Sequence, residues 1–436
     1  MTDVIEFRNE GAVGVITINN PPANALSFAV VKGIADAANA CMADDGCEAV
    51  VITGAGRMFV AGADIREFNM TRPDDVPELH DMIKGLEDSP KPIVAAINGI
   101  AFGGGLELAM GCHYRLIASG ALVGQPEVKL GIIPGAGGTQ RLPRLAGIEA
   151  ALDMIIGGDP IKADKAVELG IADELVDGDL VECAIACAQE RVADGPRPTS
   201  GITDRMGSVD VQVFEDYRAK IAPKTRGQEA PVECVNAVEV ATKTSIEEGL
   251  EHERVTFVRL RDSNKSKAMR YMFFAEREVA KVPGITKETP IHKIEKAAVI
   301  GSGTMGGGIA MNFANAGIPV AMVDVSDDAL EAGLAKVKGN YEGSVSRGRL
   351  TQEKMDERVG LISGTTDYAD LADADIVIEA VFEDMDLKKK IFGELDKACK
   401  PEAILASNTS SLDINKIGAA TGRPDKVCGA HFFSPA

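Results

Sequence analysis

Residues 95–110, AAINGIAFGGGLELAM, decide the fold of the first half of this chain. A short apolar run, typical of a buried strand, leads through glycines into a pattern that is typical of a helix. Such a glycine-rich turn exposes unpaired backbone N–H groups at the helix N-terminus, where they favour negative charge. Glu107 interrupts this stretch, and because a buried charge must be compensated, it indicates acid/base chemistry.

The sequence around this stretch alternates strand and helix patterns. Between Val13 and Pro143, helical segments separate four β-branched runs, VGVITI, AVVITG, PIVAAING and YRLIA, which indicates an α/β fold. From Gly147 to about Lys281 the strand signals fade and helical patterns dominate. Residues 281–295, KVPGITKETPIHKIE, carry two prolines and a glycine before a new strand, so a domain boundary is predicted there.

The last part of the chain has a second α/β pattern. The runs AAVI, PVAMVDV, ADIVIEAV and AILASNTS are separated by helical segments, which predicts a parallel, doubly wound sheet. A chain of 436 residues exceeds the size of a single core. We therefore expect an α/β domain at 1–190, a helical extension and linker at 191–290, and a dinucleotide-binding domain at 291–436.

A second glutamate, Glu127, lies twenty positions after Glu107, in GQPEVKLGIIPGAGGTQRLPR. Two turns rich in glycine and alanine, one in RMFVAGADIREF and one at Gly103–Gly105, can each supply a backbone donor, and two such donors make an oxyanion hole. Taken singly, the glycines are also explained by tight turns. The glutamates are also explained by a buried pair that salt bridges or helix capping satisfy.

Three polar residues near these motifs have a structural explanation. Asp64 and Arg66, beside the first turn, are predicted to form a solvated ion pair rather than to act as catalysts. His113, between a helix pattern and a strand, is predicted to be a packed, hydrogen-bonded histidine.

The motifs AGADI, AAINGxAxGGGLELA and GQPEVKLGIIPGAGGTQRLPR resemble, in order and spacing, the crotonase (enoyl-CoA hydratase/isomerase) family over roughly residues 1–190. The resemblance implies a spiral of ββα turns in which the N–H groups of Ala61 and Gly104 polarise the thioester carbonyl of an acyl-CoA. Because both glutamates are present, it implies hydration, with Glu107 activating water for attack at C3 and Glu127 delivering a proton to C2. Movement of a proton between C2 and C4 by Glu127 would add isomerase activity.

A dinucleotide fingerprint opens the second α/β pattern. Gly301-x-Gly303-x-x-Gly306 follows a predicted strand and precedes a helix, and Asp324 closes the next strand eighteen positions after Gly306. The first glycine allows the turn, the second lets a pyrophosphate approach the backbone, and the third permits close helix packing. The aspartate can bond the ribose hydroxyls, which favours NAD over NADP as the cofactor.

The motifs VIEAVFEDMDLKKKIFGELD, ILASNTSSLDI and GAHFFSPA resemble the NAD-binding domain of 3-hydroxyacyl-CoA dehydrogenases. This resemblance implies that Glu383 and Lys388 lie near the nicotinamide ribose, that Ser410 meets the substrate hydroxyl, and that His431 is the base. In that family the chain continues through a glutamate that orients the histidine and through a helical domain. Since this sequence stops at Ala436, we expect a C-terminal truncation and a severely impaired dehydrogenase reaction.

The order of these parts resembles multifunctional fatty-acid β-oxidation enzymes, with the spelling HFFSPA closest to the peroxisomal type. The expected fold is a crotonase-type ββα spiral with a helical extension, followed by an incomplete Rossmann-type doubly wound parallel sheet. Acyl-CoA thioesters are the implied substrates, and a second copy of the chain or a 3-ketoacyl-CoA thiolase is the expected protein partner. Two alternatives stay open: an isomerase-dominant crotonase, and a noncatalytic NAD-binding or assembly module.

The composition excludes several other classes of function. The formal net charge of −20 repels polyanions, so nucleic-acid binding is not expected and anionic substrates need local basic patches. No apolar run approaches the roughly 20 residues of a membrane span. No histidine has the spacing of a metal motif, so no metal is expected. The eight cysteines are scattered without a CxxC pair, which predicts reduced thiols and a cytoplasmic location.

Overall fold

The structure, a computed structural model, describes residues 4–207, 210–286 and 288–434. Two compact units divide the chain, Met1–Pro283 and Gly284–Ala436. Among the described residues, no helix is long and apolar enough to cross a membrane.

The first unit has two β-sheets surrounded by helices. Its large sheet has the strand order β1-β2-β3-β5-β7-β10, and its small sheet has the order β4-β6-β8-β9. The elements are β1 (Ile5–Glu10), β2 (Val13–Ile18), α1 (Phe28–Ala43), β3 (Ala49–Gly54), β4 (Met58–Val60), α2 (Leu79–Glu87), β5 (Ile93–Ile97), β6 (Ile100–Phe102), α3 (Gly104–Gly111), β7 (Tyr114–Ala118), β8 (Leu122–Gly124), α4 (Gly138–Ala146), α5 (Ile148–Gly157), β9 (Ile161–Lys162), α6 (Ala163–Glu168), β10 (Glu174–Val176), α7 (Leu180–Asp194), α8 (Gln212–Thr225), α9 (Ala230–Ala241), α10 (Ile246–Arg261) and α11 (Asn264–Val279).

Successive strand pairs pass from one sheet to the other, which produces the predicted ββα spiral. Strands β3, β5 and β7 pair in parallel in the large sheet, and β4, β6 and β8, which follow each of them, pair in the small sheet. The sharp corners between paired strands need glycine. A Cβ on Gly54 would lie 2.2 Å from the carbonyl oxygen of Met58, and one on Gly99 would lie 2.1 Å from that of Arg57.

Burial explains why the strands of this unit were recognised as continuous apolar runs. Every residue of β3 and β5 is buried, because helices or the second sheet cover both faces of the large sheet. Beyond residue 147 the chain is mostly helical, as predicted. The short strands β9 and β10 were missed there, because two or three residues carry no readable alternation.

The second unit is a six-stranded parallel sheet with helices on its faces. Its order, β13-β12-β11-β14-β15-β16, is the doubly wound order, in which strands are added on one side of β11 as far as β13 and then on its other side from β14. The predicted α/β fold is confirmed, and the edge strands β13 and β16 were not predicted. The elements are β11 (Ala297–Ile300), α12 (Thr304–Asn315), β12 (Val320–Val323), α13 (Asp327–Ser346), α14 (Gln352–Gly360), β13 (Ile362–Thr365), β14 (Ile376–Glu379), α15 (Met385–Ala398), β15 (Ile404–Ser407), α16 (Ile414–Gly418) and β16 (Val427–Gly429).

Candidate active site and dinucleotide site

A large cavity in the first unit brings both predicted glutamates together with both glycine-rich turns. Its volume is about 1460 Å³, and Glu107 and Glu127 both line it. Although the whole chain is acidic and six carboxyl groups lie on the cavity wall, that wall also carries seven basic side chains. These are Arg66, Arg72, Lys129, Arg254, Arg261, Arg277 and Lys281.

Glu107 is held by the backbone of the loop that precedes α4. It lies in the first turn of α3 and is only 2% exposed. Its Oε1 atom accepts hydrogen bonds of 2.8 Å from the N–H groups of Ala136 and Gly138. Burial raises the pKa of this carboxyl group, and the two backbone donors and the Arg141 guanidinium oppose that rise.

Glu127 is the more difficult of the two carboxyl groups to ionise. It begins a short 3₁₀ helix, Glu127–Leu130, and it is buried. Burial first, and then the neighbouring Glu107, raise its pKa well above the ordinary value. The amide group of Gln125, oriented with its nitrogen toward the carboxylate, donates to Oε1 at 2.8 Å. Since the two pKa values are pushed apart, Glu107 suits a base and Glu127 suits an acid.

The backbone donors beside the glutamates differ from the predicted pair in one position. The N–H group of Ala61 already donates to the carbonyl oxygen of Ala23 at 3.1 Å, so the role predicted for Ala61 is wrong. Among the described residues, the N–H groups of Ala63 and Gly104 have no acceptor. A Cβ on Gly104 would lie 3.3 Å from the nitrogen of Ala63, so the two turns are close. The free donor therefore lies two residues after the predicted one, beyond Gly62, whose φ is +122°.

A third buried carboxylate was missed by the sequence analysis. Glu253, on α10, is 0% exposed and accepts hydrogen bonds from Gly137 and Thr139 in the loop that also holds Glu107. The sequence did carry a signal for the burial of Glu253, which is its position on the apolar face of a helix pattern. Glu253 lies on the face formed by Gly249, Leu250 and Leu260, all of which are buried.

Two structural readings from the sequence are confirmed. The guanidinium group of Arg66 pairs with both carboxylate oxygens of Asp64, although Asp64 is itself buried. The Nδ1 atom of His113 accepts a hydrogen bond from Ile93, and its Nε2 atom contacts the carbonyl oxygen of Glu87 at 3.0 Å. Burial lowers the pKa of His113, so the ring is a neutral, packed histidine.

The three buried carboxylates make the stability of the first unit depend on pH. Burial raises the pKa of Glu107 and Glu127, and burial with the nearby Glu107 raises that of Glu253 to about 8. The folded state therefore keeps protons that the unfolded chain, with pKa values near 4.5, has lost. The stabilisation that these protonated groups provide is complete below their pKa in the unfolded chain. It is lost as the pH rises through their pKa in the folded protein. We expect the Tm of this unit to fall from about pH 5 to about pH 8 by calorimetry. A Tm that rises over this interval would contradict the assignment.

The glycine loop of the second unit has the geometry that NAD requires. Gly301 has a φ of +99°, which side chains other than glycine rarely adopt. A Cβ on Gly306 would lie 1.7 Å from the carbonyl oxygen of Gly301, whereas a Cβ on Gly303 would meet nothing within 4 Å. The open space at Gly303, at the N-terminus of α12, fits a pyrophosphate.

Asp324 is fixed beside this loop, at the end of β12. Its Oδ2 atom accepts hydrogen bonds of 2.8 Å from the N–H group and 2.5 Å from the hydroxyl group of Ser302. Burial opposes ionisation, but these hydrogen bonds and one from Val325 hold the pKa of Asp324 below its ordinary value. The carboxylate is therefore ionised and keeps lone pairs for a ribose hydroxyl pair.

One polar network joins three of the predicted residues at the carboxyl edge of this sheet. The buried Lys388 donates to Glu379 at 2.7 Å and lies 3.4 Å from an oxygen of Glu383. Glu383 in turn accepts hydrogen bonds from the hydroxyl group of Thr409 and from the N–H group of Ser410. Glu379, which ends β14 and is 0% exposed, was missed. Its signal was a glutamate inside an apolar strand pattern.

His431 lies at the same edge, after β16. Its side chain is exposed, and its ring centroid is 5.0 Å from that of Phe433. The segment is attached to the neighbouring strand end, because Ala430 donates to Ser407 and Phe432 donates to the side chain of Asn408. As for metals, the described part of the chain has no group of three or more His, Cys, Asp or Glu side chains that could hold an ion.

Comparisons with known proteins find a family match for each of the two units. Residues 8–208 match the family model for enoyl-CoA hydratase/isomerase, and residues 296–436 match that for the NAD-binding domain of 3-hydroxyacyl-CoA dehydrogenase. A peroxisomal fatty acid beta-oxidation multifunctional protein of Arabidopsis thaliana is 40% identical over 99% of this chain and 61% of its own length. Peroxisomal bifunctional enzymes of Cavia porcellus and Homo sapiens are each 41% identical, over 99% and 98% of this chain and 60% of their own lengths.

The comparisons correct the predicted cytoplasmic location, which is wrong. The relatives are named as peroxisomal or glyoxysomal proteins. All eight cysteines are free, but free thiols do not identify a compartment, since targeting depends on short segments that receptors read. The chain spans about 60% of the length of these relatives. By these matches, a region similar to enoyl-CoA hydratase/isomerase precedes, in this chain, a region similar to the NAD-binding domain of 3-hydroxyacyl-CoA dehydrogenase.

Proposed function

We propose that the first unit hydrates 2-trans-enoyl-CoA thioesters to 3-hydroxyacyl-CoA in fatty-acid β-oxidation. The observation that carries the proposal is the arrangement of two buried carboxyl groups, Glu107 and Glu127, in one cavity with the free N–H groups of Ala63 and Gly104. A thioester oxygen between the two N–H groups would have its developing negative charge stabilised by preorganised donors. The match to the hydratase/isomerase family model supports this reaction.

The two glutamates take different roles because their surroundings differ. Glu107, with two backbone donors and Arg141 nearby, is the group that ionises first and activates the water for attack at C3. Glu127, whose pKa burial and the neighbouring Glu107 raise well above the ordinary value, is the group that delivers a proton to C2. The basic side chains on the cavity wall, such as Arg254 and Arg261, are suited to the phosphates of CoA.

Isomerisation of 3-enoyl-CoA is a second activity of the same site. Glu107 is fixed by two backbone N–H groups, whereas the carboxyl group of Glu127 has the raised pKa that suits proton transfer between C2 and C4. In an isomerase-dominant enzyme, Glu127 alone would do useful work.

The variant Glu107→Gln separates these activities. We expect kcat for the hydration of crotonyl-CoA to fall about 100-fold or more, because the water loses its base. Isomerisation of a 3-enoyl-CoA should persist. Absorbance at the enoyl-thioester band measures both reactions. Unchanged hydration in Glu107→Gln would disprove the two-carboxylate mechanism, and no hydration by the unaltered protein would favour the noncatalytic module.

For the second unit we propose NAD binding through Gly301, Gly303, Gly306 and Asp324. We also propose the predicted roles for four residues at the carboxyl edge of the sheet. When bound there, NAD would supply the hydride acceptor for oxidation of a 3-hydroxyacyl-CoA at C3. No observation on the described residues supports the expected loss of this activity. The retained roles are Glu383 and Lys388 at the nicotinamide ribose, Ser410 at the substrate hydroxyl and His431 as the base.

The domain limits and the protein partners are also proposals. We propose a hydratase domain at 1–190, an extension at 191–290 and an NAD-binding domain at 291–436. A second copy of the chain or a 3-ketoacyl-CoA thiolase is the proposed protein partner. Apolar side chains exposed on α11 and just beyond it support such an association: Tyr271 is 72% exposed, Val279 79% and Val282 58%.

A further inference from the structure

Four consecutive backbone N–H groups at the N-terminus of α4 donate alternately to two different carboxylates. Those of Ala136 and Gly138 donate to Glu107, at 2.8 Å each. Those of Gly137 and Thr139 donate to Glu253, at 2.5 Å and 2.8 Å. The loop is therefore held from both sides, and each carboxylate depends on the conformation that the other imposes.

Close helix packing brings Glu253 to this loop. A Cβ on Gly249 would lie 2.1 Å from the Oε1 atom of Gln140, so the side chain of Gln140 from α4 packs closely against the backbone of α10. Glu253 follows Gly249 by one helical turn and faces the same side. Its Oε2 atom also accepts a hydrogen bond of 2.5 Å from the hydroxyl group of Thr139, so three donors hold the carboxyl group.

We infer that Glu253 is a positioning residue for the hydratase reaction, which sets the loop that orients Glu107. This inference rests on the proposed hydratase function. Because adjacent peptide planes share their Cα atoms, rotation of the Gly137 or Thr139 amide also turns the amides of Ala136 and Gly138. The helical extension that carries Glu253 lies outside residues 8–208, so it supplies part of the site that the hydratase family model does not cover.

A charge effect accompanies the positioning. The titratable and charged groups that face this cluster are Glu107 from α3, Arg141 from α4, Cys234 from α9, Glu253 from α10, and Glu127. The charge of Glu253 contributes to the raised pKa of Glu127. Removal of that charge lets Glu127 ionise at lower pH, because fewer negative charges then oppose ionisation.

The test is the isosteric variant Glu253→Gln, with Glu247→Gln as its control on the exposed side of the same helix. An amide cannot accept hydrogen bonds at its nitrogen, so at least one loop N–H loses its partner. For crotonyl-CoA hydration we expect kcat to fall about 10-fold or more while KM changes less than about threefold. The basic limb of the kcat–pH profile should move to lower pH, since Glu127 is the acid. Glu247→Gln should leave all three quantities unchanged.

Two results would overturn the inference. One is an unchanged kcat and pH profile in Glu253→Gln, and the other is a lower kcat with a lower Tm but an unmoved basic limb, which indicates a structural role only. If Glu253→Gln does not fold, Thr139→Ala removes one donor only and should lower kcat about threefold with a normal Tm; no decrease would also overturn it. An inactive parent protein would instead refute the proposed hydratase function.

Discussion

The variant Glu127→Gln is expected to lose both hydration and isomerisation, with kcat for crotonyl-CoA hydration lowered about 1000-fold. The amide cannot donate a proton to C2, and in the proposed mechanism Glu127 is the donor of that proton. KM should change little, because the basic wall and the N–H groups of Ala63 and Gly104 are retained.

This loss of activity should accompany a gain in stability. Burial and the charge of Glu107 oppose ionisation of Glu127, so a neutral amide of the same shape removes an unfavourable interaction at any pH at which the carboxyl group is ionised. We expect a Tm equal to or above that of the parent protein. Glu190→Gln, on the exposed side of α7, is the control and should change neither quantity. Activity within threefold of the parent protein would refute the role of Glu127.

The variant Gly306→Ala is expected to weaken NAD binding by the second unit. The new Cβ would lie 1.7 Å from the carbonyl oxygen of Gly301, so α12 must move away from β11. That movement displaces the loop whose open backbone at Gly303 accepts the pyrophosphate. Overpacking of this kind costs about 1–3 kcal/mol of stability, and we expect the Kd for NAD to rise about 10-fold or more.

Gly339→Ala is the matched control in the same unit. Gly339 lies within α13, and an added Cβ there meets nothing within 4 Å. Alanine should therefore leave NAD binding unchanged and stabilise the helix by about 0.5–1 kcal/mol. Isothermal titration calorimetry with NAD, together with thermal melting, measures both effects. An unaltered NAD affinity in Gly306→Ala would contradict the third-glycine role.

Local patterns were enough to predict both α/β regions and the dinucleotide loop. The buried strands β3, β5, β11 and β14 are continuous apolar runs, which neighbouring residues alone make visible. The three glycines that a dinucleotide loop requires lie within six residues, from Gly301 to Gly306. By contrast, β9, β10, β13 and β16 are strands of two to four residues at sheet edges, and long-range pairing decides them.

By itself, the sequence determined the identity of the two central glutamates, because Glu107 and Glu127 each interrupt a glycine-rich or apolar motif. Only the tertiary structure decided how they are held. The bonds from the α4 loop to Glu107 span 29 and 31 residues, and those to Glu253 span 114 and 116. The N–H group of Ala61 is not free, because the carbonyl oxygen of the distant Ala23 accepts its hydrogen bond, whereas the N–H group of Ala63 is free. Such contacts have no local signature, because the fold alone brings these segments together.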